Sequence, residues 1–245
     1  MVSLLIWLRT RAMAERPKLK LLHITKNAGT ALEKVGLRVG LKWGRQWKQV
    51  EKQKGKLRAP HEKRLRSEWW HVPPSFFLED PYEGCLVFAV LRCPYRRAIS
   101  EFRCPWKGFL APARQERKKE MRLKATKGDL NAWLQSRLPK LGPPFRNGHL
   151  IPQHLYIFKD GRPYVAQENR LRFDHLAEDL GQLAARCGLD LPEPAKVNES
   201  EMPRFGVEDL DQCSRTLIEE VFAKDFDLLG FPRLEEKRGR VKLTK

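Results

Sequence analysis

The chain has 245 residues, of which 41% are hydrophobic and 9% aromatic, and its formal net charge is +18. This composition is typical of a globular protein with a sizeable core and excludes a disordered chain. A charge this positive favours an anionic partner: nucleic acid, an acidic polysaccharide, a membrane surface or a nucleotide. The five cysteines form no CxxC pair and no Cys/His ligand spacing, so we expect no metal site and no complete disulfide framework, although one bridge remains open.

Residues 1–17 form an N-terminal segment that is first apolar and then basic. Its apolar run, residues 2–8, is shorter than the roughly 20 residues that a membrane span needs. It also lacks the longer apolar core and the cleavage site of a secretory signal. The visible sequence therefore predicts neither an anchor nor a signal peptide, and membrane association would depend on this segment or on an anchor upstream of it.

The first strand–turn–helix pattern predicts a strand over residues 18–24, a turn with one lysine, and a helix over residues 30–39. Backbone N–H groups at the start of a helix point outward without a partner and favour anions. A lysine in the turn adds a full positive charge. We expect an anion cradle made of the following residues: Lys26, Asn27, Ala28, Gly29, Thr30 and Ala31.

A second pattern of the same kind follows at residues 86–102. Its continuous apolar run, residues 86–91, is typical of a strand that is covered on both faces. Arg92 follows the strand, Pro94 suits the first turn of a helix, and Ser100 lies on that helix. Two such elements suggest a ligand with anionic groups at two places.

The remaining sequence predicts further helices and one hairpin. Residues 113–124 are a charged run typical of an exposed helix or loop, and residues 130–138 carry a helical apolar face that ends at Pro139. Asp160 and Gly161 indicate a hairpin, Asp174 is a candidate helix N-cap, and the last helix is expected over residues 207–222. Alternating strands and helices predict an α/β domain over residues 18–232, with a parallel sheet flanked by helices, before a basic tail over residues 233–245.

These motifs resemble the sulfotransferases that use 3′-phosphoadenosine 5′-phosphosulfate (PAPS), in particular the carbohydrate-type Golgi branch. Residues 25–30 are similar to the 5′-phosphosulfate loop of that family, and Arg92 and Ser100 match its 3′-phosphate motif. Similar blocks follow in order at residues 149–156, 171–180, 197–200 and 225–231. The chain departs from the family pattern where Thr25 replaces a proline, Ala28 a glycine and Cys93 an aspartate.

The resemblance implies a three-layer, P-loop-like fold and transfer of a sulfuryl group from PAPS to a hydroxyl, without a metal. Lys26 would stabilise charge on the leaving oxygen, and Arg92, with Ser100, would hold the 3′-phosphate. The acceptor would be an anionic or neutral glycan, and the compartment would be the Golgi. Trp69 and Trp70 could stack on a sugar ring or anchor their loop in the core, and the second interpretation is favoured.

Transfer to a hydroxyl also needs a base, and histidine titrates in the suitable range. We choose His71, which precedes the second strand in a His-Val context similar to that of some carbohydrate sulfotransferases; a structural loop histidine is an equal alternative. His61 is the reserve. His149, with Gln153, could shape a pocket.

Three other functions stay open from the sequence. A nucleotide kinase would need a Walker A motif, which the chain lacks. A basic nucleic-acid or polyanion-binding protein would explain the charge, but no recognition motif for specific nucleic-acid binding is present. A catalytically inactive PAPS-binding relative is compatible with Ala28 and Cys93.

Overall fold

The computed structural model describes residues 18–61, 67–112, 115–142, 145, 148–195 and 201–234. The predicted N-terminal segment 1–17, the turn at residues 197–200 and the basic tail beyond Leu234 lie outside the described residues. Within them the strands are β1 (Leu19–Leu22), β2 (Leu86–Leu91), β3 (Phe158–Lys159), β4 (Arg162–Pro163) and β5 (Arg170–Arg172). The helices in the same ranges are α1 (Gly29–Arg38), α2 (Lys48–Lys52), α3 (Pro94–Phe102), α4 (Glu116–Leu123), α5 (Lys127–Arg137), α6 (His154–Ile157), α7 (Leu176–Arg186), α8 (Gln212–Val221) and α9 (Ala223–Leu229).

The fold is mixed α/β, and its contacts group the chain into two compact units. The first unit combines the chain up to Arg92 with Leu141–Glu201, and the second combines Cys93–Lys140 with the chain from Met202. The sequence predicted one domain over residues 18–232. Each of the two units is built from two segments of the chain, and no change in composition marks the places where one unit gives way to the other.

The first unit contains a three-stranded parallel sheet with the strand order β1–β2–β5. Leu19 pairs with Leu86 and Leu22 with Ala89, while Ala89 to Leu91 pair with the three residues of β5. All four residues of β1 and the four central residues of β2 are buried. A parallel strand that is buried along its length is covered on both faces of the sheet. This explains the continuous apolar sequence of β2.

Helices α1 and α7 supply apolar side chains to the core of this sheet. Leu32 and Val35 from α1, and Leu180 and Leu183 from α7, pack with the strand residues, and Trp43 is completely buried in the same cluster. Trp43 belongs to a basic stretch, residues 41–68, whose composition is typical of a solvated surface segment. Its indole fixes the start of that stretch against the sheet.

The second unit is helical. Its buried apolar residues include Phe102, Leu130, Leu134 and Ile218, which lie on α3, α5 and α8. Helix α5 begins with a capping box in which Thr126 and Asp129 satisfy each other's backbone N–H groups.

Two predictions of helix boundaries are wrong. Asp174 does not cap α7, which starts from His175 without a side-chain cap; Asp174 lies in a 3₁₀ turn just before it. The last predicted helix is divided because Asp211 accepts the N–H of Ser214 at 2.8 Å and starts α8 anew, after which α9 follows. The apolar spacing predicted a single helix, but the side-chain cap supplied by Asp211 starts a new helix within it.

None of the helices that the structure describes is both long and apolar enough to cross a bilayer.

Candidate functional site

The turn between β1 and α1 presents unpaired backbone donors. Lys26 and Ala28 adopt left-handed backbone conformations with φ of 66° and 60°, which cost a non-glycine residue about 1–2 kcal/mol each. The N-cap residue Ala28 offers no side-chain cap, and the first turn of α1 holds no acidic residue. Within the described ranges the N–H groups of Ala28, Gly29 and Thr30 have no acceptor. These groups and the half-buried Lys26 leave an anion-accepting surface.

Two of the amides predicted for this cradle are already bonded within the chain. The N–H of Asn27 donates to the carbonyl oxygen of Ile24 at 3.4 Å, and the N–H of Ala31 donates to that of Ala28 at 2.9 Å. The backbone part of the cradle is therefore narrower than the sequence suggested, because it consists of three consecutive amides.

The side chain of Asn27 has a different role, as a tie between the ends of two strands. It is buried, and its Nδ2 donates to the carbonyl oxygen of Val90 at 2.7 Å and to Oε1 of Gln153 at 2.6 Å. The fully buried Gln153 in turn bonds both backbone groups of Arg92, at 3.0 Å to its N–H and 2.8 Å to its carbonyl oxygen. This Asn27–Gln153 tie fixes the Lys26 turn and the start of the Arg92 turn against each other.

The side chain of Arg92 reaches the Lys26 turn directly. Its Nη1 donates to the carbonyl oxygen of Lys26 at 2.9 Å. Its guanidinium also lies 3.9 Å from the ring centroid of Phe173, which follows β5. The Arg92 side chain and the Lys26 turn therefore lie side by side at the carboxyl ends of adjacent parallel strands. Phe173 was not predicted as a site residue, and its only signal in the sequence was its place immediately after the third strand.

His71 lies at the end of β1, next to the same turn. Its Nδ1 bonds the carbonyl oxygen of His23 at 2.8 Å. Because a carbonyl oxygen only accepts, Nδ1 carries the proton and Nε2 carries the lone pair of the neutral ring. Burial of the ring, followed by the nearby charge of His23, lowers the pKa of His71 well below its usual value. His71 is therefore a neutral imidazole at pH 7, with its lone pair on Nε2.

His23 fills the space between His71 and the first turn of α1. The two imidazole rings meet edge to face with centroids 4.4 Å apart. A Cβ atom on Gly29 would lie 2.0 Å from His23 Nε2, so only glycine fits at this position. On the other side, Nδ1 of His23 lies 3.5 Å from the buried carboxylate of Glu33. The sequence predicted His23 as a packed strand residue, and it is indeed buried just beyond the strand.

The other predicted side chains are placed as follows. His149 has its ring centroid 6.0 Å from that of His71, and its carbonyl oxygen accepts a hydrogen bond from Thr25 at 3.2 Å. His61 stacks on Phe76 with a centroid distance of 3.6 Å. Ser100 is half-buried on α3 of the second unit, and its predicted contact with a phosphate stays a prediction.

The groups that lie at the carboxyl ends of β1 and β2 are donors and cations: three amides and the Arg92 guanidinium, with Lys26 in the turn that carries the amides. Phosphate and sulfate oxygens accept from such groups, so the residues present fit a phosphosulfate and a second phosphate. Comparisons of the chain with protein-family models, with curated proteins and with solved structures give no match.

Proposed function

We propose that the protein is a sulfotransferase that moves a sulfuryl group from PAPS to a hydroxyl acceptor. The observation that carries the proposal is the contact of the Arg92 guanidinium with the Lys26 turn. It brings two cationic anchors to one edge of a parallel sheet, where ligands of open α/β sheets bind. A donor nucleotide with anionic groups at two places requires two such anchors.

Each residue has a separate task in this proposal. Lys26 and the amides of Ala28, Gly29 and Thr30 hold the phosphosulfate end, and Lys26 offsets the charge that grows on the leaving oxygen. Arg92 holds the 3′-phosphate. When bound, PAPS supplies the activated sulfuryl group.

His71 acts as the general base. Its Nε2 accepts the proton of the acceptor hydroxyl, while the bond from Nδ1 to the His23 carbonyl oxygen keeps the tautomer and the ring orientation fixed. Its lowered pKa keeps the ring unprotonated at neutral pH. A carbohydrate acceptor, the P-loop-like form of the fold and residence in the Golgi are further expectations of the resemblance to carbohydrate sulfotransferases.

The first test is calorimetry with the product nucleotide, 3′-phosphoadenosine 5′-phosphate. Wild-type protein should bind it, and Arg92→Ala should weaken binding by about 2 kcal/mol, roughly 30-fold, because charge-assisted bonds are lost. Lys34→Ala and Arg38→Ala are matched controls, since they remove exposed charges from α1. Absence of binding, or equal losses in Arg92→Ala and the controls, would overturn the proposal.

The second test is transfer of labelled sulfate from PAPS to a panel of glycans. Lys26→Ala should reduce the transfer rate by about 100-fold or more, as loss of a transition-state donor does in other enzymes. Nucleotide binding without transfer would instead identify an inactive PAPS-binding protein. The net charge of +18 favours polyanion binding as a second candidate, which predicts salt-dependent binding of RNA or DNA without any need for the nucleotide.

A further inference from the structure

Arg45 lies in a 3₁₀ turn, Gly44–Gln46, whose backbone is fixed against the sheet. The preceding residue, Trp43, is completely buried. At Gly44 a Cβ atom would lie 2.8 Å from Oε1 of Glu33 and 2.9 Å from the carbonyl oxygen of Leu21, so the turn approaches β1 as closely as glycine allows. The start of the basic stretch is therefore held in place, and Arg45 projects from a defined position.

A buried carboxylate holds the backbone of Arg45 directly. Oε1 of Glu33 accepts the N–H of Arg45 at 2.6 Å, and the Glu33 side chain is shielded from solvent. Hydrogen bonds to an ionised acceptor are shorter and stronger than neutral ones. Glu33 comes from α1, the helix that follows the Lys26 turn, so one residue connects the position of Arg45 to the candidate site.

The guanidinium of Arg45 lies over an aromatic ring beside the candidate base. Its Cζ is 5.2 Å from the ring centroid of Trp70, and that ring is 5.7 Å from the ring of His71. The charge of Arg45 is one of the influences that lower the pKa of His71. Arg45 is exposed, and its guanidinium has no ion-pair partner within the part of the chain that the structure describes.

We propose that Arg45 and Trp70 select an acceptor that carries a carboxylate on a polyhydroxylated ring. The apolar face of such a ring can pack against the part of the half-buried indole that the Arg45 guanidinium does not cover, and a carboxylate can take two parallel hydrogen bonds from that guanidinium. The position beside His71 places this selection next to the group that would receive the hydroxyl proton. The role in acceptor choice rests on the proposed sulfuryl transfer, whereas the binding preference itself does not.

The test compares two oligosaccharides that differ only in charge: cellohexaose and the same hexamer oxidised to carboxylates at every C6. Binding is measured by calorimetry in about 0.15 M salt, where the Debye length of about 8 Å screens the general attraction of a basic protein. Wild-type protein should bind the oxidised hexamer about tenfold or more tightly than the neutral one, a difference of about 1.4 kcal/mol.

Four variants locate that preference. Arg45→Gln should bring the affinity ratio of the two hexamers close to one. Arg45→Lys should restore part of the preference, because lysine returns the positive charge but not the two parallel N–H donors of the guanidinium. Arg38→Gln removes another exposed arginine and should leave the ratio unchanged. Trp70→Ala should weaken both hexamers by a similar factor. A wild-type ratio near one, or equal effects of Arg45→Gln and Arg38→Gln, would overturn the inference.

The same variants separate this inference from the proposed function. Arg45→Gln should bind 3′-phosphoadenosine 5′-phosphate as wild-type does, while losing preference for the charged hexamer in binding and in sulfate transfer. If the nucleotide binds and the preference is absent, the inference fails alone. If the preference is present and the nucleotide does not bind, the proposed sulfotransferase function fails alone.

Discussion

The two ends of the parallel sheet in the first unit carry different charged groups and use them differently. The carboxyl ends of β1 and β2 meet Lys26, Arg92 and His71, and three backbone amides there have no acceptor among the described residues. Near the amino ends a cavity of roughly 420 Å³ is lined by Glu79, Asp80 and Glu83, and also by Lys18. The net charge of +18 is a sum over the whole chain and does not show that three carboxylates gather at this end.

Hydrogen bonding distinguishes the two ends as well as charge. Asp80 accepts from Lys159 at 2.9 Å, from the Tyr164 hydroxyl at 2.8 Å and from the N–H of Tyr82 at 2.9 Å, so its carboxylate is satisfied within the fold. Nearby, Glu79 accepts from Gln53 at 2.9 Å. Polar groups at the amino ends bond to one another, whereas at the carboxyl ends the backbone amides of Ala28, Gly29 and Thr30 have no acceptor among the described residues. Substitutions should therefore affect stability alone at one end, and stability with nucleotide binding at the other.

The largest effect is expected from Gly29→Ala at the carboxyl end. The new methyl group would lie 2.0 Å from atoms of the His23 ring, and the overpacking should reduce the free energy of unfolding by about 3 kcal/mol. Urea denaturation measures this loss, and calorimetry should show weaker binding of 3′-phosphoadenosine 5′-phosphate. The double variant His23→Ala with Gly29→Ala should be more stable than Gly29→Ala alone. If it is less stable, the His23 ring does not fill that space.

Asn27→Ala should have the next largest effect. It removes two buried hydrogen bonds and leaves two acceptors short of a donor, which should cost about 2 kcal/mol of stability. Nucleotide affinity should fall as well, because the tie that positions Arg92 is cut. The matched control is Asn131→Ala in the second unit, whose Nδ2 likewise donates two hydrogen bonds, in this case both to backbone carbonyl oxygens. Equal nucleotide affinities in both variants would contradict a positioning role for Asn27.

Asp80→Asn should destabilise the amino end by about 1 kcal/mol, since the amide keeps an acceptor for Tyr164 but loses the ion pair with Lys159. Thermal denaturation measures this effect. Affinity for 3′-phosphoadenosine 5′-phosphate should stay within about twofold of wild-type, well below a 1.4 kcal/mol change. A larger loss of affinity would mean that the amino end of the sheet also affects nucleotide binding, and the proposed difference between the two ends would be wrong.

The effect that is smallest at pH 7, and grows as the pH falls, concerns His71. Its pKa in the folded protein lies well below 6.5, so below that pH the unfolded chain binds a proton that the folded chain does not. Stability should therefore fall as the pH drops below 6.5, by at most about 1.4 kcal/mol per pH unit from this one group. His71→Asn keeps a donor for the His23 carbonyl oxygen but cannot titrate. Urea denaturation between pH 5 and 7 should give a shallower slope for the variant, and identical slopes would contradict a buried, neutral His71.

The sheet and the turns that follow two of its strands could be predicted from the sequence, because their signals are local. The apolar run at Leu86–Leu91 matches β2 residue for residue, and Pro94 begins the helix after it. The first turn was located equally well, with α1 starting at Gly29. A continuous apolar run and the fixed φ of proline are properties of the local sequence, so they can be recognised without the fold.

The contacts that turn these elements into a candidate site depend on residues far apart in the chain. Asn27 bonds Gln153, Arg92 approaches Phe173, and His71 donates to the carbonyl oxygen of His23. No local pattern predicts such pairs, because each forms only when packing brings separate segments to one edge of the sheet. The sequence by itself determined which segments become strands, turns and helices, through local hydrophobic pattern and backbone preference. Tertiary packing alone decided which side chains meet, which donors stay unpaired and which imidazole remains neutral.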